Sequence, residues 1–119
     1  MDRRVFFPLS PQRRVALRQE LGIAPRDFFL LSVGELNLNK NHQVVLEALS
    51  ILKARGALGG IRYGICGEGF SRPRLEREIQ ERGLQRIVEL YGYRRDVKSF
   101  LGCADATVFP SRREGLGMA

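Results

Sequence analysis

Phe28-Phe29-Leu30-Leu31-Ser32-Val33 is an unbroken apolar run, preceded by Pro25-Arg26-Asp27 and closed by Gly34. Its length and its turn-forming flanks fit a strand buried on both faces. Outward from it the pattern repeats. Val44, Val45, Ala48, Leu49 and Leu52 recur at helical spacing after a polar loop, and Gly56 ends that helix. Ile61–Cys66 reads as a second strand, stopped by Gly67-Glu68-Gly69. A helix over 71–82 follows, with Leu75 and Ile79 inward, a Glu78–Arg82 pair one turn apart and Gly83 at its end. Residues 87–91 give a third strand. Asp96 reads as the cap of a short helix carrying Val97, Phe100 and Leu101, and residues 106–109 give a fourth strand. Before the first strand, Ser10-Pro11 reads as an N-cap with Pro at the first helical position, on a helix stopped near Gly22.

Strands alternating with helices predict the α/β class: a Rossmann-like parallel sheet with helices on both faces and the Phe28–Val33 strand in its interior. At 119 residues the chain is at most one domain. No apolar run approaches the length of a membrane span or a signal peptide, so cytoplasmic residence is the default expectation. The net charge is +7, with Arg far outnumbering Lys, but the basic residues are spread along the chain. They read as solvated helix faces with a preference for anionic partners, and no nucleic-acid motif accompanies them. Cys66 and Cys103 lie in apolar segments and read as reduced core thiols, without metal-ligand spacing. His42, the single histidine, reads as structural.

Ligands of parallel sheets bind beyond the carboxyl ends of the strands. The four loops expected there are 34–41, 67–70, 92–95 and 110–117, and each carries glycine. Gly34 lets an anion approach the backbone, and Lys40 supplies a point charge near a helix start, although an ordinary loop with a surface Lys has the same look. Gly67 and Gly69 form a Gly-x-Gly turn that lacks the rest of a P-loop or dinucleotide fingerprint. Tyr93 and Arg94 offer backbone and a plane on which a base can stack; a turn with a solvated Arg pair fits as well. In Pro110-Ser111-Arg112-Arg113-Glu114-Gly115-Leu116-Gly117, an acid stands beside a glycine-rich helix start. That suits a polyhydroxyl ligand carrying phosphate.

These loops together resemble the nucleotide-sugar-binding, C-terminal domain of GT-B glycosyltransferases, specifically the retaining family four, also called group 1. The resemblance runs from Arg4-Val5-Phe6-Phe7-Pro8 to Gly117. It implies that Lys40, six positions after Gly34, holds the donor diphosphate, and that Glu114 contacts donor-sugar hydroxyls. It also places the amides of Gly115, Leu116 and Gly117 beside the sugar, Gly67 and Gly69 at the nucleotide pocket, and Tyr93 and Arg94 at the base. Position 35 departs: the family usually has Arg where this chain has Glu35, which cannot hold a diphosphate. The second Glu of the family pattern would fall past Ala119.

The resemblance further implies a UDP- or GDP-sugar type donor, no metal and no cofactor. The acceptor would be a glycan or lipid-linked molecule, bound through an N-terminal domain outside residues 1–119. The whole enzyme would have peripheral contact with the inner face of a membrane. On this expectation the chain is a partial donor-binding domain, inactive by itself. The competing expectation is a stand-alone nucleotide- or anion-binding module without catalysis.

Overall fold

The computed structural model describes residues 9–37 and 42–109. Their order is α1 (Pro11–Glu20), β1 (Phe28–Val33), α2 (His42–Ala54), β2 (Ile61–Cys66), α3 (Arg72–Glu81), β3 (Val88–Gly92), α4 (Val97–Cys103) and β4 (Ala106–Thr107). All pairings are parallel and the strand order is β3-β2-β1-β4. β1 is therefore interior, as its two-sided apolar sequence requires. After β3 the chain returns past β2 and β1 to lay β4 on the far side, so the strand order reverses between β1 and β4. Such a reversal opens a crevice at the carboxyl edge.

The two sheet faces carry separate cores. One gathers Leu46, Leu49, Leu75 and Ile79 of α2 and α3 over Tyr63, Ile65 and Val88. The other packs Phe100 and Cys103 of α4, with Leu17 and Leu21 from the α1 side, over Phe29, Leu31 and Cys66. Phe29 and Leu31 belong to one core and Leu30 to the other, the period-two alternation of a strand covered on both sides. Each fully buried side chain of this size contributes about 1.5–3 kcal/mol.

The helix ends follow local chemistry. Ser10 accepts from the Arg13 amide at 3.3 Å and caps α1. Gly22 follows the C-cap Leu21 with φ 77°, the left-handed turn that ends many helices. The apolar pattern of α2 is corrected in two ways: Leu46 is fully buried, while Val44, 45 % exposed, and Ala48 face outward. β4 is shorter than the run 106–109, but Val108 extends it by donating its amide to Leu31 O at 2.9 Å.

Two side-chain clusters hold β4 against β1. At its start, the Asp105 carboxylate accepts from the Phe29 amide (2.7 Å), from Arg14 (2.9 Å) and from buried Arg18 (3.3 Å). Burial by itself would raise the Asp105 pKa; the Phe29 amide and the two guanidinium groups outweigh it and hold the carboxyl below its ordinary value. Arg18 also donates to the carbonyls of Cys103, Ala24 and Asp27, tying α1 to the end of α4. At the other end of β4, Ser32 Oγ donates to Val108 O at 2.6 Å and lies 2.7 Å from Tyr63 Oη. Burial pushes the Tyr63 hydroxyl up to about 12, with the Ser32 contact partly offsetting it.

Among the described residues, no helix is long and apolar enough to cross a membrane. Cys66 and Cys103 are free and buried, as the sequence reading expects of core thiols. Burial pushes Cys66 up to about 12, against a smaller lowering by Arg94.

Candidate functional site

The loops after β1, β2 and β3 meet at the carboxyl edge. They enclose a cleft of about 280 Å³ lined by Val33, Gly34, Glu35, Cys66, Gly67, Glu68, Tyr93, Arg94 and Val97. Its floor is apolar, from Val33, Cys66 and Val97. Its rim is polar, from Glu35, Glu68 and Arg94. An apolar slot with a few polar groups at its mouth is the usual form of a small-molecule site.

Backbone contact between neighbouring loops builds the walls. The Gly34 amide donates to Cys66 O (3.0 Å) and the Gly67 amide to Gly92 O (2.7 Å), so strand pairing continues into the loops. A register shift after Ile65 lets Cys66 pair with Gly92, leaving Tyr91 as the extra residue in β3. Further out, the Leu36 amide donates to Glu68 O (3.0 Å) and Leu36 O accepts from the Ser71 amide (3.1 Å). A side chain at Gly67, where φ is 149°, would overlap the Gly34 carbonyl oxygen, and one at Gly69 would overlap the peptide of Leu36. Both glycines thus have a structural duty: they let two loops lie backbone to backbone.

The Arg94 side chain is fixed on two sides. Nε and one terminal nitrogen donate to the two carboxylate oxygens of Asp96, each at 3.0 Å. Its central carbon stands 4.8 Å from the ring centroid of Phe100. Phe100 is fully buried and meets Tyr91 edge-on, with centroids 4.9 Å apart. The Asp96 contact raises the Arg94 pKa, and Arg94 in turn lowers that of Asp96. Tyr93 is 75 % exposed beside it. Glu68 pairs with Arg72 at 2.9 Å, and Arg72 pairs also with Glu76 at 2.9 Å.

Of the site residues expected from sequence, Gly34, Gly67, Tyr93 and Arg94 line this one cleft. Gly69 does not line it; it packs on Leu36 behind the wall. Lys40, Glu114, Gly115, Leu116 and Gly117 lie outside the described residues. His42 is buried at the start of α2. Asp96 occupies the N-cap position of α4 but makes no capping bond from its side chain, contrary to the expectation of a helix cap. Sequence reasoning missed the apolar floor and the Arg94–Asp96 fork. The signal for the fork was an Arg-x-Asp spacing that begins two residues after a strand-ending glycine. No group of three or more potential metal ligands is present among the described residues.

A parallel sheet with helices on both faces and a glycine-walled cleft at its carboxyl edge is the architecture of a Rossmann-like ligand-binding domain. Residues 14–119 match the model of the family described as Glycosyl transferases group 1, and the chain belongs to that family. It is 35 % identical over 113 residues to EpsD of Bacillus subtilis (strain 168), a match covering 95 % of this chain and 29 % of that protein. The crystal structure of Anabaena Alr3699/HepE in complex with UDP superposes with a TM-score of 0.77 at 22 % identity, over 93 % of this chain and 30 % of that one. The C-terminal domain of the group 1 family protein LpcC from Francisella tularensis superposes with a TM-score of 0.70 at 22 % identity, over 93 % of this chain and 58 % of that domain. The fold is that of GT-B glycosyltransferases. The chain spans about three-tenths of the length of the full relatives it matches.

Proposed function

We propose that the cleft receives the nucleoside part of a nucleotide-sugar, and that residues 1–119 belong to the donor-binding domain of a retaining glycosyltransferase. The observation that carries this reading is the convergence of Gly34, Gly67, Tyr93 and Arg94 on one cleft in a chain of the group 1 family. An apolar floor accepts the flat ring of a base. The rim carboxylates of Glu35 and Glu68 suit its N–H groups or ribose hydroxyls. The donor is of the UDP or GDP type, and the Anabaena relative's structure with UDP supports that class.

In the whole enzyme, the sugar passes to a glycan or lipid-linked acceptor held by residues outside this chain, at the inner face of a membrane. Lys40 holds the leaving diphosphate, and its charge stabilises the negative charge that builds there as the sugar departs. Glu114 accepts hydrogen bonds from the sugar hydroxyls, with the amides of Gly115, Leu116 and Gly117 beside it. Glu35 brings no positive charge, so Lys40 bears more of the diphosphate than it would beside an Arg.

The test is a titration of the chain with UDP and with GDP, followed amide by amide by NMR. The expected result is a dissociation constant of about millimolar, where binding is worth about 4 kcal/mol. The shifts should gather on the cleft lining, at residues 33–35, 66–68 and 93–97, and on Lys40, which meets the diphosphate. Shifts that leave the cleft lining untouched, or none at ten times that concentration, would reject the reading.

A further inference from the structure

A short acid at an N-cap ordinarily accepts from the first free amides of its helix. Asp96 does not. Its backbone, at φ −97° and ψ 39°, departs from the extended cap geometry, and both carboxylate oxygens are given to Arg94. Helix stability does not account for this choice. The Asp96 side chain is 44 % exposed and that of Arg94 36 %, and ion pairs so open to water add little. What the arrangement achieves is orientation. The two-pronged contact fixes the guanidinium in its own plane, and Phe100, itself locked by burial and by Tyr91, supports it from beneath.

We infer that Asp96 is a positioning residue, which presents Arg94 to the cleft as a rigid planar surface for a heteroaromatic ring and not as a phosphate-binding cation. This rests on the reading of the cleft as a nucleotide site and assigns the ligand part that Arg94 meets. The charges agree with it. Arg94 is neutralised by Asp96 and Glu68 is paired with Arg72, while Glu35 adds a carboxylate to the lining with no ion pair to it among the described residues. A diphosphate would be repelled from such a wall. Stacking on a guanidinium plane needs no net charge.

The experiment compares the chain with its Asp96→Ala and Arg94→Ala variants and with the double variant. Each is titrated with UDP, GDP and inorganic pyrophosphate. Asp96→Ala should weaken the nucleoside diphosphates about five- to tenfold, the loss of one modest stacking contact, while pyrophosphate binds no more weakly, because the freed Arg94 charge can only attract it. In the Arg94→Ala background it should add nothing, because its effect passes through Arg94. Equal weakening of pyrophosphate and nucleotide, or full additivity of the two substitutions, would overturn the inference. If the chain binds no nucleotide at all, the proposed function fails, and hydrogen exchange at Arg94 Nε decides the positioning separately. Fast exchange in Asp96→Ala against slow exchange in the unaltered chain supports it; equal rates in the two proteins overturn it.

Discussion

Glycines at the two edges of the sheet solve different problems. Near the amino edge, Gly22 and Gly60 turn the chain at φ 77° and 80°, and a side-chain carbon at either would meet nothing within 4 Å. At the carboxyl edge, Gly67 and Gly69 are pressed against the backbone of the loop beside them. The first pair is there for direction, the second for closeness. Only the second pair marks the edge where the cleft forms. A glycine in sequence therefore points to a site when two backbones must touch, and to a corner when the chain must merely bend.

Substitution separates the two kinds. Gly67→Ala should have the largest effect, because the added carbon overlaps Gly34 O and the backbone conformation disfavours any side chain. The expected loss is about 3 kcal/mol or more, measured by urea unfolding. A loss below about 1 kcal/mol would mean that the loops can part, and that closeness is not what the glycine secures.

The Asp105 cluster, at the amino end of β4, comes next. Asp105→Ala leaves Arg18, 4 % exposed, without its carboxylate and the Phe29 amide without its acceptor. A loss of about 2–3 kcal/mol is expected. The Asp105 pKa is lowered in the folded chain, so its contribution is present above the ordinary carboxylate value of about 4 and fades as pH falls through the depressed value. Stability of the unaltered chain should thus drop more steeply in acid than that of Asp105→Ala. Parallel pH profiles would show that the cluster holds by shape alone.

The smallest effect belongs to Gly59→Ala. The new methyl group meets nothing within 4 Å, and no left-handed φ stands in its way. Stability should stay level or rise by about 0.4–1 kcal/mol, through a less disordered unfolded chain. A marked loss there would blur the contrast between the two edges.

Element order and sheet class were legible because short, largely apolar segments closed by glycine alternate with helical patterns, and β1 is apolar at every position but Ser32. The boundaries of β2 were readable to the residue. What escaped the reading depends on partners distant in the chain. Val44 and Leu46 are both apolar, and only the position of the sheet decides which is buried. Asp96 is locally a cap, and only the neighbouring Arg94 diverts it. The cleft was legible in part: its glycines and its Tyr93-Arg94 corner carried local signals. Its floor of Val33, Cys66 and Val97 did not, since apolar residues at the ends of strands and helices look the same whether they line a cavity or fill a core. The Asp105 cluster was invisible for the same reason, with Arg14 and Arg18 some ninety residues away from it in the chain.

A hydroxyl has one proton, and that gives the bonds around β4 a direction. Ser32 directs its proton to Val108 O, so the Tyr63 hydroxyl must donate to Ser32. With Asp105 holding the Phe29 amide at the other end, β4 is measured against β1 at two fixed marks, 105 on 29 and 108 on 32. Both intervals are three residues long. One residue inserted or deleted between Asp105 and Val108 would keep one mark and lose the other. Changes of length in this chain are therefore tolerated around the open corner at Gly59 and forbidden in the short span that leads from α4 to Phe109.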